Sequence, residues 1–288
     1  MNPPNYVVIT PARDECAHLR LTIESMLAQS LPPLEWVIVD DGSHDETAAV
    51  IAQYARQHPW IHAVKRKDRG HRFPGAGVAE AFWDGYRCLH RDDWEFLVKL
   101  DADLSFAPDF FQEALKYFCG QPSLGIGGAS LYSVVDGVPH LETGPRFHVR
   151  GATKIYRRAC WEAIGGIIIA PGWDTVDEIK AQMLQWRTET FSDVCALHHR
   201  PTGGASHWRD MIKRGQGCYM AGYHPAYVAA RCVRQLGSKP YVLGSICMGV
   251  AFLAGYLGRL AGERDPSLVH YVHEQQWRKL RGGTSMWK

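Results

Sequence analysis

No two of the eight cysteines in this 288-residue sequence form a C-x-x-C pair. Scattered cysteines of this kind fit neither a zinc site nor the dense disulfide framework of a small secreted domain. The segment Met1–Thr10 also lacks the basic stretch and long apolar core that a secretory signal peptide requires. We therefore expect reduced thiols and a protein that faces the cytosol.

A strong excess of one charge is missing as well, since the formal net charge is only +2. Residues 1–208 contain 20 Lys and Arg against 26 Asp and Glu, a net charge of −6, whereas residues 209–288 contain 12 against 4, a net charge of +8. A basic C-terminal quarter is typical of contact with an anionic partner. Because no nucleic-acid-binding motif accompanies it, we expect a membrane surface and not a nucleic acid.

Short apolar runs alternate with helical patterns along the first hundred residues. Strands are predicted at 6–10, where Pro11 ends the run, and at 36–39, 61–64 and 96–100. Helices are predicted around 19–27, from a capping box at Ser43–Glu46 toward Pro59, and over 78–89. This alternation predicts an α/β fold with a mostly parallel, Rossmann-like sheet, in which ligands bind at the carboxyl ends of the strands.

Two acidic clusters follow predicted strands. Asp40 and Asp41 end the second strand and open a turn, where a carboxylate can accept hydrogen bonds from a base or a ribose. Asp101 and Asp103 follow the fourth strand, and two carboxylates at this spacing can reach one hard divalent cation. A polar turn or a chance D-x-D explains either cluster alone, but the ordered pair is far more specific.

The ordered motifs resemble those of the family 2 glycosyltransferases, which have the GT-A fold. The resemblance covers about residues 6–205 and extends beyond the two acidic clusters to the segments 75–81, 156–159, 164–166 and 173–175. It implies an inverting enzyme that moves a sugar from a nucleotide-diphosphate sugar, most commonly a UDP-sugar, to a hydroxyl acceptor. It also implies a divalent cation, Mn²⁺ or Mg²⁺, as cofactor.

The same resemblance implies roles for individual residues. Those implied to bind the nucleotide are Pro11, Ala12, Arg13, Glu15, Asp40, Asp41, Ser43, Arg72, Gly75, Asp101 and Ala102. Arg72 is chosen from a basic loop that also contains Lys65, Arg66, Lys67 and Arg69, as the residue that reaches the diphosphate. The cation is expected on Asp103, together with His198 or His199, because imidazole and carboxylate both suit a manganese-type site.

A third acidic group begins a helix that is predicted to run from Trp173 to about Trp186. Family members carry a Glu-Asp pair here, whose Asp deprotonates the acceptor, so Asp174 is the expected base. Trp173 replaces the Glu of that pair, which keeps Asp177, one helical turn further, open as an alternative base. The electrostatic alternative is that acidic side chains collect in the first turn because the helix dipole favours them.

The C-terminal quarter contains an uncharged segment, Tyr241–Gly258, flanked by Lys239 and Arg259. Its 18 residues just reach the length of a membrane span, and a basic amphipathic helix is predicted after it. A buried helix of a soluble core is the alternative. Because positive charge flanks both ends, we expect a segment that lies on or re-enters the cytoplasmic face of the cell membrane, and a lipid-linked or cell-envelope glycan as acceptor.

We therefore expect a catalytic domain at 1–208 and a helical, basic and apolar region at 209–288. One alternative is a nucleotidyltransferase that makes nucleotide sugars. Such enzymes open with a Gly-rich loop after the first strand, and the segment Pro11–Glu15 contains no glycine. The other alternative is a catalytically inactive membrane scaffold, against which the intact carboxylates argue.

Overall fold

The structure is a computed structural model that describes residues 3–70, 75–135, 138–142, 147–200, 207–258, 260 and 264–287. The strands are β1 (Tyr6–Ala12), β2 (Glu35–Asp40), β3 (Ile61–Lys65), β4 (Phe96–Leu100), β5 (Leu104–Phe106), β6 (Leu124–Val135), β7 (Val138–Leu141), β8 (Thr153–Arg157) and β9 (Arg187–His198). The helices are α1 (Cys16–Leu27), α2 (Thr47–Gln57), α3 (Ala76–Arg87), α4 (Phe110–Gly120), α5 (Arg158–Ile164), α6 (Trp173–Met183), α7 (His207–Met220), α8 (Pro225–Gln235), α9 (Tyr241–Tyr256) and α10 (Pro266–Leu280).

The strands form one mixed sheet with the order β3-β2-β1-β4-β8-β6-β9-β5, and β7 pairs with β6. The first four strands are parallel, as the sequence predicts. Strand β8 is antiparallel to both β4 and β6. Strand β6 is parallel to β9 but antiparallel to β7, so the prediction of a mostly parallel sheet is right in full only for the first half. No helix lies between β6 and β8 in the described residues, so no crossover places them parallel.

The central parallel strands are buried on both faces because helices cover each side. Alternate residues of β1 point to opposite faces, so Val8 joins one apolar cluster and Val7 the other. Phe111 of α4 belongs to the first cluster, together with side chains of α1 and α2, while Phe82 of α3 and Trp161 of α5 belong to the second. This packing fixes the strand ends that carry the acidic clusters.

Two local predictions at these strand ends are wrong. Strand β1 continues through Pro11 to Ala12, which is paired with Asp40 of β2. Helix α2 begins at Thr47, and Ser43 does not cap it. Instead, the Ser43 hydroxyl accepts a hydrogen bond from a backbone N–H of the β1–α1 loop at 3.0 Å, so the turn ties two strand ends together and the helix starts later.

The C-terminal helices pack on α6. Val176 of α6 shares an apolar cluster with Phe252 of α9 and Val272 of α10. At the start of α6, Gly172 has φ +81°, and an added Cβ would lie 2.7 Å from the Gly217 Cα atom of α7. Within the described part of the chain, every helix is too short or too polar to span a membrane.

Candidate functional site

A cavity of about 310 Å³ lies at the carboxyl ends of β1 and β4. It is lined by Pro11, Ala12, Arg13, Glu15, Asp41, Arg69, Gly77, Val78, Asp101, Ala102, Asp103 and Lys213. Eight of these are residues that the sequence places in the site. The rule that ligands bind beyond the carboxyl ends of parallel strands explains why the motifs converge here.

The turn after β2 contains a buried acceptor. One carboxylate oxygen of Asp40, Oδ1, accepts a hydrogen bond from the Ser43 backbone N–H at 2.9 Å. The other, Oδ2, is buried and has no hydrogen-bond partner among the described residues. Gly42 makes the turn possible, because its φ is +73° and an added Cβ would lie 2.5 Å from the Asp68 Cα atom. The spare oxygen is suited to a donor N–H or O–H of a ligand.

Asp41 is held by two arginines of the basic loop. Arg66 and Arg69 both form ion pairs with its carboxylate, and Arg69 also pairs with Glu80. Burial raises the pKa of Asp41 even though both guanidinium groups act in the opposite direction. Arg69 is a loop arginine that lines the cavity, whereas the predicted Arg72 lies outside the described residues.

The other predicted nucleotide contacts support this wall of the cavity. Arg13 donates hydrogen bonds to the Asp41 carbonyl and to the Asp68 carboxylate, both at 2.7 Å. Glu15 forms an ion pair with Arg200, which follows the two histidines at the end of β9. Gly75 does not line the cavity. It precedes α3 with φ +82°, and α3 provides lining residues.

Asp101, Asp103 and His198 form a group that could hold a metal ion. Their ligand atoms all lie within 4.8 Å of one another. The Nε2 atom of His198 is 3.4 Å from Asp103 Oδ2, and its Nδ1 atom is 2.9 Å from Glu142 Oε1. Burial by itself lowers the pKa of His198, but Asp103 and Glu142 raise it to about 10. Carboxylate oxygens and an imidazole nitrogen are a suitable donor set for Mn²⁺.

The register of β9 distinguishes His198 from His199, which the sequence alone does not. His198 ends β9 opposite Leu104, whereas the His199 backbone N–H donates to the Asp103 carbonyl at 2.9 Å. Side chains of successive strand residues point to opposite faces, so the two rings diverge. The His199 ring lies 3.0 Å from the Ser105 hydroxyl and is outside the metal group.

The two candidate bases occupy different environments. Asp177 is fully buried, with the Lys154 Nζ atom 2.8 Å from each of its oxygens and the Tyr156 hydroxyl 2.5 Å from Oδ2. Burial raises the pKa of Asp177, which is a property of many bases, but this carboxylate has no contact with solvent. Asp174 is half-buried, and no hydrogen bond or ion pair engages its carboxylate in the described residues.

A buried lysine connects Asp101 with the start of α6. Lys99 forms an ion pair with Asp101, and its ammonium group lies 5.4 Å from the centre of the Trp173 ring. Trp173 precedes Asp174, so the residue that departs from the family pattern lies beside the lysine that pairs with Asp101. Neither Asp174 nor Asp177 lines the cavity itself.

Lys213 is a cavity residue that the sequence analysis misses. It lies on α7, reaches the cavity wall and is 3.8 Å from Asp210. In the sequence it is one of twelve basic residues of the C-terminal quarter, and no motif separates it from the others. Only the packing of α7 on α6 brings it to the cavity.

The Glycosyl transferase family 2 profile matches residues 7–165, which is more than half of the chain. The chain belongs to glycosyl transferase family 2. The match includes both acidic clusters and confirms the family that the motifs resemble.

Two curated relatives are similar to this family 2 chain over part of its length. It is 31% identical over 114 residues to a Bacillus subtilis protein named as teichuronic acid biosynthesis glycosyltransferase TuaG. It is 30% identical over 122 residues to the polyprenol monophosphomannose synthase of Mycolicibacterium smegmatis. These matches cover 40% and 42% of the chain and 42% and 43% of the relatives. The chain therefore spans less than half the length of the curated relatives it matches.

Among solved structures, the family 2 chain is similar to the mannosyltransferase PcManGT of Pyrobaculum calidifontis in complex with GDP-Man and Mn²⁺. The identity is 20%, the TM-score is 0.59, and the match covers 97% of this chain and 81% of that protein. A likeness at this identity concerns the fold. It confirms the predicted α/β, GT-A-like architecture.

Proposed function

We propose that this chain is an inverting, nucleotide-sugar-dependent glycosyltransferase. The observation that carries the proposal is that carboxylates following two parallel strands, Asp41 after β2 and Asp101 and Asp103 after β4, line one cavity. The latter two also form a possible metal-binding group with His198 of β9. Its dimensions suit a small-molecule ligand. The buried Asp40 oxygen is suited to a nucleoside, and the Asp101–Asp103 pair to the diphosphate end.

Asp101, Asp103 and His198 would hold a divalent cation, Mn²⁺ or Mg²⁺. When bound, such an ion neutralises negative charge on a diphosphate leaving group. Arg69 and Lys213 provide positive charge on the cavity wall for the same phosphates. Lys99 forms an ion pair with Asp101 and keeps that carboxylate oriented toward the cavity.

Asp174 is the proposed base. It takes the proton from the acceptor hydroxyl, while the acceptor oxygen attacks the sugar carbon from the face opposite the leaving phosphate, so the configuration is inverted. Asp177 is the less suitable candidate because both its oxygens are already engaged by Lys154. Its role is to hold the start of α6 in place through that lysine, which also donates to the Asp174 carbonyl at 2.5 Å.

The proposed donor is a UDP-sugar, the commonest donor of the resembled family, and the named complex of PcManGT makes GDP-sugars the first alternative to test. Titration calorimetry with UDP and with GDP, each with Mn²⁺, tests both. We expect tight, metal-dependent binding of one of the two nucleotides. D103N should weaken this binding by about 10–100-fold or more, because loss of a residue that only hydrogen-bonds to a metal ligand already has an effect of this size. Binding of neither nucleotide would favour the inactive scaffold.

We propose that the helical region 209–288 places the enzyme at the cytoplasmic face of the cell membrane, beside the catalytic domain 1–208. One face of α9 and the following turn carries large apolar side chains that are 46–73% exposed: Tyr241, Val242, Leu243, Ile246, Val250, Leu253, Tyr256 and Leu257. Monomeric proteins rarely expose such a contiguous patch. We call these eight residues the α9 stripe.

Positive charge is gathered in the same helical region. Burial, together with the nearby guanidinium groups of Arg234 and Arg231, lowers the pKa of Lys279. Each basic residue near an anionic leaflet contributes about 1 kcal/mol of attraction. An apolar stripe with basic surroundings is suited to an anionic lipid interface, and the names of TuaG and of the polyprenol monophosphomannose synthase support a lipid-linked or cell-envelope glycan as acceptor.

Vesicle flotation tests the membrane proposal. We expect the full chain to float with anionic phospholipid vesicles and not with zwitterionic ones. The variant I246E/L253E should lose flotation, because it places charge in the centre of the α9 stripe. L184E is the matched control, since Leu184 is also an exposed apolar residue but lies after α6. Equal flotation of both variants, or none of the wild type, would contradict the proposal.

A further inference from the structure

A second cluster of metal-ligating side chains lies at the opposite ends of the strands from the cavity. Glu35 is the first residue of β2, His62 lies in β3, and His90 lies in the loop between α3 and β4. Asp40, at the other end of β2, belongs to the candidate active site. The cluster is therefore separated from the catalytic residues by the length of a strand.

The three side chains converge on one carboxylate oxygen. Glu35 Oε1 is 2.8 Å from His90 Nδ1 and 3.5 Å from His62 Nε2, and the ligand atoms of all three residues lie within 4.8 Å of one another. A tetrahedral zinc ion with ligands at about 2.0–2.2 Å separates its ligand atoms by about 3.3–3.5 Å. The 3.5 Å spacing already matches this value and the 2.8 Å spacing is shorter, so small side-chain rotations suffice.

The electrostatics of the cluster favour a cation. Glu35 is only 1% exposed, and its ion-pair partners among the described residues are the two imidazoles. A buried carboxylate is costly unless positive charge or hydrogen bonds compensate it. Backbone N–H groups supply the hydrogen bonds, and a metal ion shared with the two imidazoles would supply the positive charge.

The surroundings also provide orientation and access. Backbone N–H groups of His90 and Arg91 donate to the Glu35 oxygens at 2.9–3.1 Å, and such outer hydrogen bonds orient carboxylate ligands. The side chains of His62 and His90 are 36% and 70% exposed, so an ion can enter from solvent.

We propose that Glu35, His62 and His90 form a zinc site that is distinct from the catalytic metal group. Two imidazoles, one carboxylate and a water molecule make up a familiar four-coordinate zinc set. Strand β3 is at the edge of the sheet, and the ion would join it to β2 and to the α3–β4 loop. The site would stabilise this edge and take no part in sugar transfer.

The test is Zn²⁺ titration of the full chain carrying D103N, which weakens the other metal group. In this background we expect one Zn²⁺ site, whose affinity falls at least tenfold with H62Q and with H90Q. H270Q is the control, since His270 is an exposed histidine on α10, far along the chain from the cluster. Gln keeps a hydrogen-bond donor for Glu35, so the metal-free variants should unfold at the same temperature as their parent.

Co²⁺ absorption provides the second measurement. We expect the d–d bands of a tetrahedral nitrogen and oxygen site in D103N, their loss in H90Q, and a rise in unfolding temperature with Zn²⁺ that H90Q abolishes. Three outcomes would overturn the proposal: equal Zn²⁺ affinity in H62Q, H90Q and H270Q, no Zn²⁺ binding in the D103N background, or a thiolate charge-transfer band that assigns the ion to a cysteine.

Discussion

Substitution of the two α6 carboxylates separates catalysis from stability. Asp177 lies in a buried network in which Lys154 contacts both of its oxygens at 2.8 Å, and Glu178 Oε1 is 3.0 Å from the same ammonium group. His148 pairs with Glu178 at 3.0 Å on the far side. The network therefore contains two carboxylates and two basic groups, and D177N removes one negative charge from it.

The expected loss of stability follows from this geometry. Removal of one partner of a buried pair costs about 3–5 kcal/mol, because the other charge remains buried. Lys154 keeps Glu178 as a second partner, so the cost for D177N should lie near the lower limit. In a domain of this size 1 kcal/mol corresponds to about 2–4 °C in Tm, which gives a decrease of about 6–12 °C.

Asp174→Asn should have the opposite profile. Asp174 is half-buried and its carboxylate forms no ion pair within the described ranges, so the Tm of D174N should differ little from that of the wild type. Its turnover should fall about a hundredfold or more, the usual scale for loss of a general base. Thermal unfolding and release of the nucleoside diphosphate, measured below the Tm of both variants, check the two effects.

The base assignment is refuted if D177N, while folded, loses turnover about a hundredfold and D174N keeps it. Should D177N prove too unstable to assay, K154M/D177L provides a second route. Replacement of both partners of a buried pair by apolar side chains is often close to neutral. This double variant should be more stable than D177N. If Asp174 is the base, it should retain far more turnover than D174N, even though it loses the Lys154 contact with the Asp174 carbonyl.

Three further predictions concern other parts of the chain. Burial alone lowers the pKa of His148, but its partner Glu178 raises it, so the pKa is above the ordinary 6.5. The ion pair with Glu178 therefore contributes its full stabilisation below pH 6.5, and this stabilisation is lost as the pH rises above that value. In urea unfolding, the loss of stability caused by H148Q should become smaller over the same rise in pH. G85A should cost about 1–3 kcal/mol, since its Cβ would lie 2.7 Å from a β1 side chain, whereas G120A meets no atom within 4 Å and should cost nothing. K213A should weaken UDP binding by about 10–100-fold in calorimetry and should have little effect on the binding of uridine, which carries no phosphate. The control K116A, at an exposed lysine, should change neither affinity.

The first half of the fold and the cavity residues follow from the sequence because local signals determine them. Apolar runs of four to seven residues define β1, β2 and β4, and a parallel sheet brings their carboxyl ends together. The second half, in which β6 is parallel to β9 but antiparallel to β7 and β8, could not be predicted in this way. Strands β6 and β9 are long and partly polar, and β9 pairs with β5 and β6, which lie far from it in sequence.

The choice between neighbouring residues of one type also required the structure. His198 and His199 are the same residue type at adjacent positions and differ only in their place in the strand register. Asp174 and Asp177 both lie in the first turns of α6, and only the position of Lys154 on β8 separates them. Sequence patterns specify which residue types meet at a strand end, whereas tertiary packing specifies which of two adjacent side chains faces the ligand.

Helix α7 links the two properties that we propose for the C-terminal region. The charge asymmetry of the sequence predicts a basic C-terminal region that contacts a membrane surface, yet Lys213 of α7 lines the cavity. Gly215, two residues further, packs so tightly on α9 that an added Cβ would overlap the Met248 carbonyl. Since α9 carries the exposed apolar stripe on its other side, one helix contacts both the donor cavity and the proposed membrane-binding helix. Loss of α9 would therefore disturb donor binding as well as membrane association, so point substitutions in the stripe test the membrane proposal more cleanly than truncation of the chain.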